Sequence, residues 1–134
     1  MVNCPYHISW YIENRVLLIQ VYDGLGLQDL RQMEAEAYDI IQQADNVIHA
    51  IVDLRGFTGK AQDIQQALGT IRGKRHKNQG TSVLIFSMKN PIGQFVAETI
   101  LDHLGLPFKV TSNFEDAEMK IAKLEKQRKK SRAN

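Results

Sequence analysis

The stretch Val47–Gly59 reads VIHAIVDLRGFTG: a short, nearly continuous apolar run ending at Asp53, then a glycine-punctuated loop, Arg55-Gly56-Phe57-Thr58-Gly59. A run this short and this apolar reads as a strand buried on both faces, the usual state of a central strand in a parallel sheet. Open α/β sheets place their sites at the carboxyl ends of such strands, so the loop after Asp53 is where function is expected.

Working outward towards the amino terminus, Asp45-Asn46 stops a helix that opens at Asp23-Gly24-Leu25-Gly26 and runs to about Ala44. Leu30, Met33, Ala37, Ile41 and Ala44 recur at three- and four-residue spacing and form its buried stripe. Before it lie two strands, His7–Ile12 and Val16–Tyr22, joined tightly by Glu13-Asn14-Arg15 as an antiparallel hairpin.

Towards the carboxyl terminus, Ile64, Ala67, Leu68 and Ile71 make an i, i+3, i+4, i+7 stripe that predicts a helix over Ala61–Arg72, ended by Gly73. A polar link, Lys74–Gly80, leads to an apolar strand, Thr81–Phe86. Asn90-Pro91 pairs an N-cap residue with proline at the first helical position. Val96, Ala97, Ile100, Leu101 and Leu104 give that helix its stripe, and Gly105 and Pro107 stop it. A short strand, Phe108–Val110, precedes a capping-box pattern, Ser112-Asn113-Phe114-Glu115, and a last helix burying Phe114, Ala117, Ile121 and Leu124. The order ββαβαβαβα predicts a single α/β domain with a mostly parallel sheet, right-handed crossovers and an amino-terminal antiparallel hairpin. Residues 1–125 form that domain, and 126–134 are a basic tail into which the last helix is expected to extend.

The hairpin, the helix after Gly24-Leu25-Gly26, the VIHAIVDLRG strand and loop, and the closing TSNFEDAEMKIAKL helix together resemble the STAS-like (anti-anti-sigma-factor-like) domains of bacteria. The likeness runs over roughly Tyr6 to Leu124 and rests on element order and on a strand ending in Asp-Leu. It implies a small regulatory or protein-interaction domain. Some members of that group are phosphorylated on a serine in an Asp-Ser-Ser-Gly-like segment shortly after the Asp-Leu strand. Here the segment is Arg55-Gly56-Phe57-Thr58-Gly59-Lys60; the serine pair is missing, and Thr58, its one hydroxyl, is the position the resemblance offers as a phospho-acceptor.

Bulk properties narrow the classes. A length of 134 residues suits one self-sufficient core. The single cysteine, Cys4, excludes an internal disulfide and fits a reducing, cytoplasmic setting. No apolar run is long enough to span a bilayer, so membrane insertion is not expected. Charge is uneven: residues 1–71 carry four Lys/Arg against nine Asp/Glu, and residues 72–134 carry thirteen against six. Much of the basic excess lies in the tail KQRKKSR, which reads as a solvated helix end; without a recognised motif beside it, nucleic acid is not an expected partner. The opposed halves, with the open edges of such a sheet, do suggest self-association into a homo-oligomer.

Individual motifs mostly resolve into structure. Gly24-x-Gly26 resembles half of a dinucleotide fingerprint, but its third position is Asp29, whose carboxylate would oppose a phosphate, so tight-turn glycines are the better reading. Gly56-Phe57-Thr58-Gly59-Lys60-Ala61 lacks the spacing and final hydroxyl of a phosphate loop; its amides still suit a generic anion, against the plainer reading as a connecting loop. His7, His49, His76 and His103 are scattered, with no metal-ligand spacing, and His49 reads as a buried structural histidine. Cys4 has no nucleophilic partner motif. No catalytic set, cofactor or metal is expected.

One constellation follows from the fold. The loops after the third, fourth and fifth strands share an edge, which gathers Asp53, Arg55, Thr58 and Lys60 with Ser87, Lys89 and Asn90, and with Thr111 and Ser112. The leading expectation is a non-catalytic STAS-like module that contacts a protein partner through these loops. The alternative is a small-ligand or anion-binding module, for a nucleotide, phosphate or lipid, using the same residues.

Overall fold

A computed structural model describes residues 5–24, 26–57, 77–87, 95, 97–99, 101–102 and 105–132. In chain order the elements are β1 (Tyr6–Ile12), β2 (Val16–Tyr22), α1 (Leu27–Gln43), β3 (Ile48–Gly56), β4 (Gln79–Ile85), β5 (Phe108–Thr111) and α2 (Phe114–Arg132). Backbone at 95, 97–99 and 101–102 is also helical. The helix expected over Ala61–Arg72, and the Asn90-Pro91 start, lie outside the described residues.

The strands form one sheet in the order β1-β2-β3-β4-β5. β1 and β2 pair antiparallel, and every later neighbour pairs parallel. The hairpin turns through Asn14 at φ 64°, a left-handed conformation that asparagine tolerates, and Arg15 N–H closes on the Ile12 carbonyl at 3.0 Å. The mixed sheet with an antiparallel start is what the element order predicts.

β3 is the central strand, as its apolar run requires. Side chains alternate across it. Leu54 faces a cluster with Leu30 and Met33 of α1, Leu84 of β4, and Ala97 and Leu101. Ile48 and Ala50 join Leu17 and Ile41 of α1 on the same side. Ile51, fully buried, points the other way, into Val16, Val83, Ile85 and the α2 residues Ala117, Ile121 and Leu124. The stripes read from the sequence, Leu30-Met33-Ile41 and Ala117-Ile121-Leu124, are thus the surfaces that cover the two sheet faces.

The helix ends are fixed by local bonds. Asp29 accepts from Gly26 N–H at 3.0 Å and closes the start of α1. The last described turn before β5 ends at Gly105, φ 69°, where Leu106 N–H reaches the Leu101 carbonyl at 3.0 Å and Gly105 N–H the Asp102 carbonyl at 3.1 Å, the paired bonds of a glycine-terminated helix. At α2 the cap sits one residue later than the Ser112/Glu115 pattern predicts. Asn113 Oδ1 accepts from Asp116 N–H at 2.7 Å, because Thr111 is still in β5 and the chain needs Ser112 to turn out of the sheet. α2 then continues through the basic segment to Arg132.

Candidate functional site

Two expected loop residues are strand residues. β3 runs past Asp53, its expected last residue, to Gly56 opposite Tyr22 of β2, so Arg55 lies inside the strand and the turn begins only where Phe57 N–H meets the Leu54 carbonyl at 3.0 Å. A Cβ at Gly56 would lie 2.8 Å from the Tyr22 ring, so any larger residue there would have to displace that ring. Likewise Thr111 is the last residue of β5. The register sets Asp53 beside Ile85, and Ile85 beside Thr111, on the α2 face at the carboxyl edge of the sheet.

Asp53 and Arg55, two apart in a strand, point to the same side. The guanidinium holds the carboxylate bidentately, Nε to Oδ1 at 2.9 Å and Nη2 to Oδ2 at 2.8 Å, and Arg55 N–H adds a third bond to Oδ1 at 3.1 Å. Burial pushes against ionisation of Asp53, but the Arg55 side-chain bonds, its backbone N–H and its charge outweigh that and hold the carboxyl below its usual value. The pair is asymmetric: the Asp53 side chain is 11% exposed and the Arg55 side chain 51%. One carboxylate is consumed inside, and one cation is held rigidly at the surface.

That cation rests on an aromatic floor. Arg55 Cζ lies 5.9 Å from the centre of the Phe114 ring, within cation–π range, and Phe114 meets Tyr11 edge-on at 5.5 Å between centroids and 74° between planes. Burial, then a bond to Glu118 and the charge of that carboxylate, pushes the Tyr11 hydroxyl up to about 12. Next to this group the Thr111 hydroxyl donates to Asp116, whose carboxyl is lowered by that bond and by Lys120 and Lys123. Lys120 and Asp116 also pair one turn apart at 3.6 Å.

Of the nine residues expected to converge, Asp53, Arg55, Thr111 and Ser112 share this edge, with Ser87 half-buried after β4. Thr58, Lys60, Lys89 and Asn90 lie outside the described residues. Asp53 and Thr111 are engaged with Arg55 and Asp116, which leaves Arg55 and Ser112 as the exposed members. Tyr11, Phe114 and Asp116 belong to the cluster and were not expected in it. The helical pattern marks Phe114 only as an inward residue, and nothing local marks Tyr11; the crossing of α2 over the sheet joins them.

Other motifs have plain explanations. Asp29 occupies the amino end of α1, where a pyrophosphate would have to sit. His49 Nδ1 accepts from Thr81 N–H at 3.0 Å, the structural role expected of it. Among the described residues no three His, Cys, Asp or Glu side chains are grouped to hold a metal ion, and no helix is long and apolar enough to cross a membrane. No family model matches the chain, and no curated protein or solved structure is similar to it at a level that carries an inference.

Proposed function

We propose that this protein is a non-catalytic regulatory or protein-interaction module of the STAS-like type, acting through the carboxyl edge of its sheet. The observation that carries the reading is the Arg55 guanidinium: fixed by Asp53, backed by Phe114 and half open to solvent. A preorganised arginine beside aromatic surface is the residue type that anchors protein interfaces, because little side-chain entropy remains to be lost on binding. The mixed sheet with its amino-terminal hairpin is consistent with the STAS-like resemblance. The chemistry of the edge supports binding rather than turnover, since each buried polar group described there is already engaged by a neighbour.

The alternative, a nucleotide, phosphate or lipid headgroup at the same edge, is less well supported. Pairing with Asp53 takes the Nε–Nη2 edge of the guanidinium and offsets its charge, which weakens its attraction for an anion. Partner capture from cells of the source organism, with the wild-type chain beside Arg55→Gln and Ser112→Glu, separates the readings. The module predicts one stoichiometric protein partner, lost in both variants while their far-ultraviolet circular dichroism and melting remain cooperative. Retention of that partner by both variants, or substrate turnover by the purified protein, overturns the proposal.

A further inference from the structure

Among the described residues the sheet has two edges, β1 and β5, and they are built differently. β5 is four residues long and carries the exposed Lys109. Shortness and a lysine are devices that keep an edge from pairing with another chain. β1 is seven residues long, reads YHISWYI, and contains no lysine, arginine, aspartate, glutamate or proline. The hairpin decides where its backbone groups go. Tyr22 N–H donates to the Pro5 carbonyl at 2.8 Å, and the register then sets His7 opposite Gln20 and Ser9 opposite Leu18. Hydrogen-bonded pairs recur at every second residue of an antiparallel ladder, so His7 and Ser9 spend their N–H and C=O groups on β2. Ile8 and Trp10, in the alternate pairs, turn theirs to the side away from β2. Among the described residues no strand pairs with β1 on that side.

Side chains mark the same edge. Trp10, the chain's one tryptophan, is 38% exposed although it stands opposite the buried Leu17. Outward N–H and C=O groups on an extended chain are matched by one kind of partner, another strand. Side chains directly opposite one another across such a pair interact, and β1 offers no carboxylate, ammonium or guanidinium for a charged segment to meet. The strand it suits is uncharged and apolar, as β1 itself is. We propose that β1 pairs antiparallel with β1 of a second copy of this chain, joining the two sheets edge to edge. The contrast between the edges selects this arrangement. Pairing of β1 with β5 of the next copy would repeat without closing, and the shortness of β5 and its Lys109 oppose it. Pairing of β1 with β1 uses up both unguarded edges and leaves a guarded β5 at each end. The register shift between Trp10 and Ile12 ends the regular run, so the contact is short and the dimer is a weak one, forming in the upper micromolar range. It does not involve Arg55, which lies on β3.

The test combines sedimentation velocity of the full chain, at low micromolar and near-millimolar concentration, with amide hydrogen exchange read residue by residue by mass spectrometry. The expected result is a mass of two chains at the higher concentration. Exchange of the Ile8 and Trp10 amides slows there by roughly fivefold or more as the monomer fraction falls, while His7 and Ser9, bonded to β2, are slow at both concentrations. Ile8→Pro removes an outward N–H and leaves the β1–β2 bonds in place, and Trp10→Lys gives β1 the guard that β5 has. Both variants stay monomeric, and the second covers the case in which the first fails to fold. Arg55→Gln dimerises like the wild type, which separates this contact from the carboxyl edge. Three results overturn the proposal: a single-chain mass at near-millimolar concentration, dimerisation of Trp10→Lys equal to that of the wild type, or Ile8 and Trp10 amides already as slow as Ser9 in the dilute monomer, which would mean that the chain covers its own edge.

Discussion

Replacing Arg55 with methionine isolates the contribution of the Asp53–Arg55 pair. The variant keeps the backbone N–H bond to Asp53 at 3.1 Å and removes the two guanidinium bonds, at 2.9 and 2.8 Å. Breaking a fully buried pair from one side costs about 3–5 kcal/mol. Here the Arg55 side chain is 51% exposed, so water screens the attraction and replaces part of the lost bonding, and the expected cost falls to about 1–2 kcal/mol at pH 7. For a chain of this size that is a fall in Tm of roughly 3–8 °C. The pH dependence is the sharper part. An unfolded aspartate titrates near about 3.9, and folded Asp53 lies below its usual value because Arg55 overcomes burial. A depressed folded value gives stability that is present above the unfolded value and lost as pH falls through the folded one. In Arg55→Met only the backbone N–H bond still opposes burial, Asp53 rises, and the ionised form stabilises the fold less. The gap between the two proteins is therefore largest at neutral pH and narrows in acid. Urea unfolding at pH 7 and pH 3 measures it. A cost within about 0.5 kcal/mol at pH 7, the range of an ordinary surface change, or a gap equal at both pH values, refutes the reasoning.

Gly80→Ala places a methyl 2.3 Å from His49 Nδ1 and 2.9 Å from the Ile48 carbonyl, so it costs about 1–3 kcal/mol in urea unfolding despite the smallest possible change; a neutral result would mean that β3 and β4 can separate there freely. Ile51→Ala empties a fully buried position between the central strand and α2 and costs about 2–5 kcal/mol. Tyr11 ionises only near pH 12, so an absorbance titration shows a tyrosine titrating late, and Glu118→Gln moves it earlier. Because the folded value is raised, the stability that Tyr11 contributes is complete below about pH 10 and disappears as the pH rises from there towards 12.

The periodic parts of this fold were legible because burial imposes them. The Val47–Asp53 run had to be central, since only a strand covered on both sides tolerates Ile48, Ala50 and Ile51 on alternating faces. The α1 and α2 stripes were readable for the same reason. Strand order was not, because pairing partners are chosen between segments that share no local signal. The exact ends were also hidden: hydrogen bonding to β2 carries β3 to Gly56, and pairing with β4 carries β5 to Thr111, each beyond the point where the apolar pattern stops. That extension moved Arg55 from a loop into the sheet and set it on the same side as Asp53, the expected strand end, whose carboxylate it occupies.

The consecutive strand order accounts for where the aromatic floor came from. When each new parallel strand is added on the same side of the last, right-handed crossovers place their helices on one face of the sheet. α1 and the helical residues Ala97 and Leu101 lie on that face together, against Leu54 and Leu84. Among the described residues no crossover element covers the other face, into which Val16, Ile51, Val83 and Ile85 point. An element outside the crossover series buries those side chains: α2, which follows the last strand, lays Ala117, Ile121 and Leu124 on them. Its path starts beside Thr111 at the carboxyl edge and reaches the β1–β2 turn, where Glu125 pairs with Arg15 at 3.8 Å. Crossing that way carries Phe114 under Arg55 and against Tyr11. The exposed arginine and its support are therefore a by-product of the same requirement that closes the core, and loosening α2 should dismantle both at once.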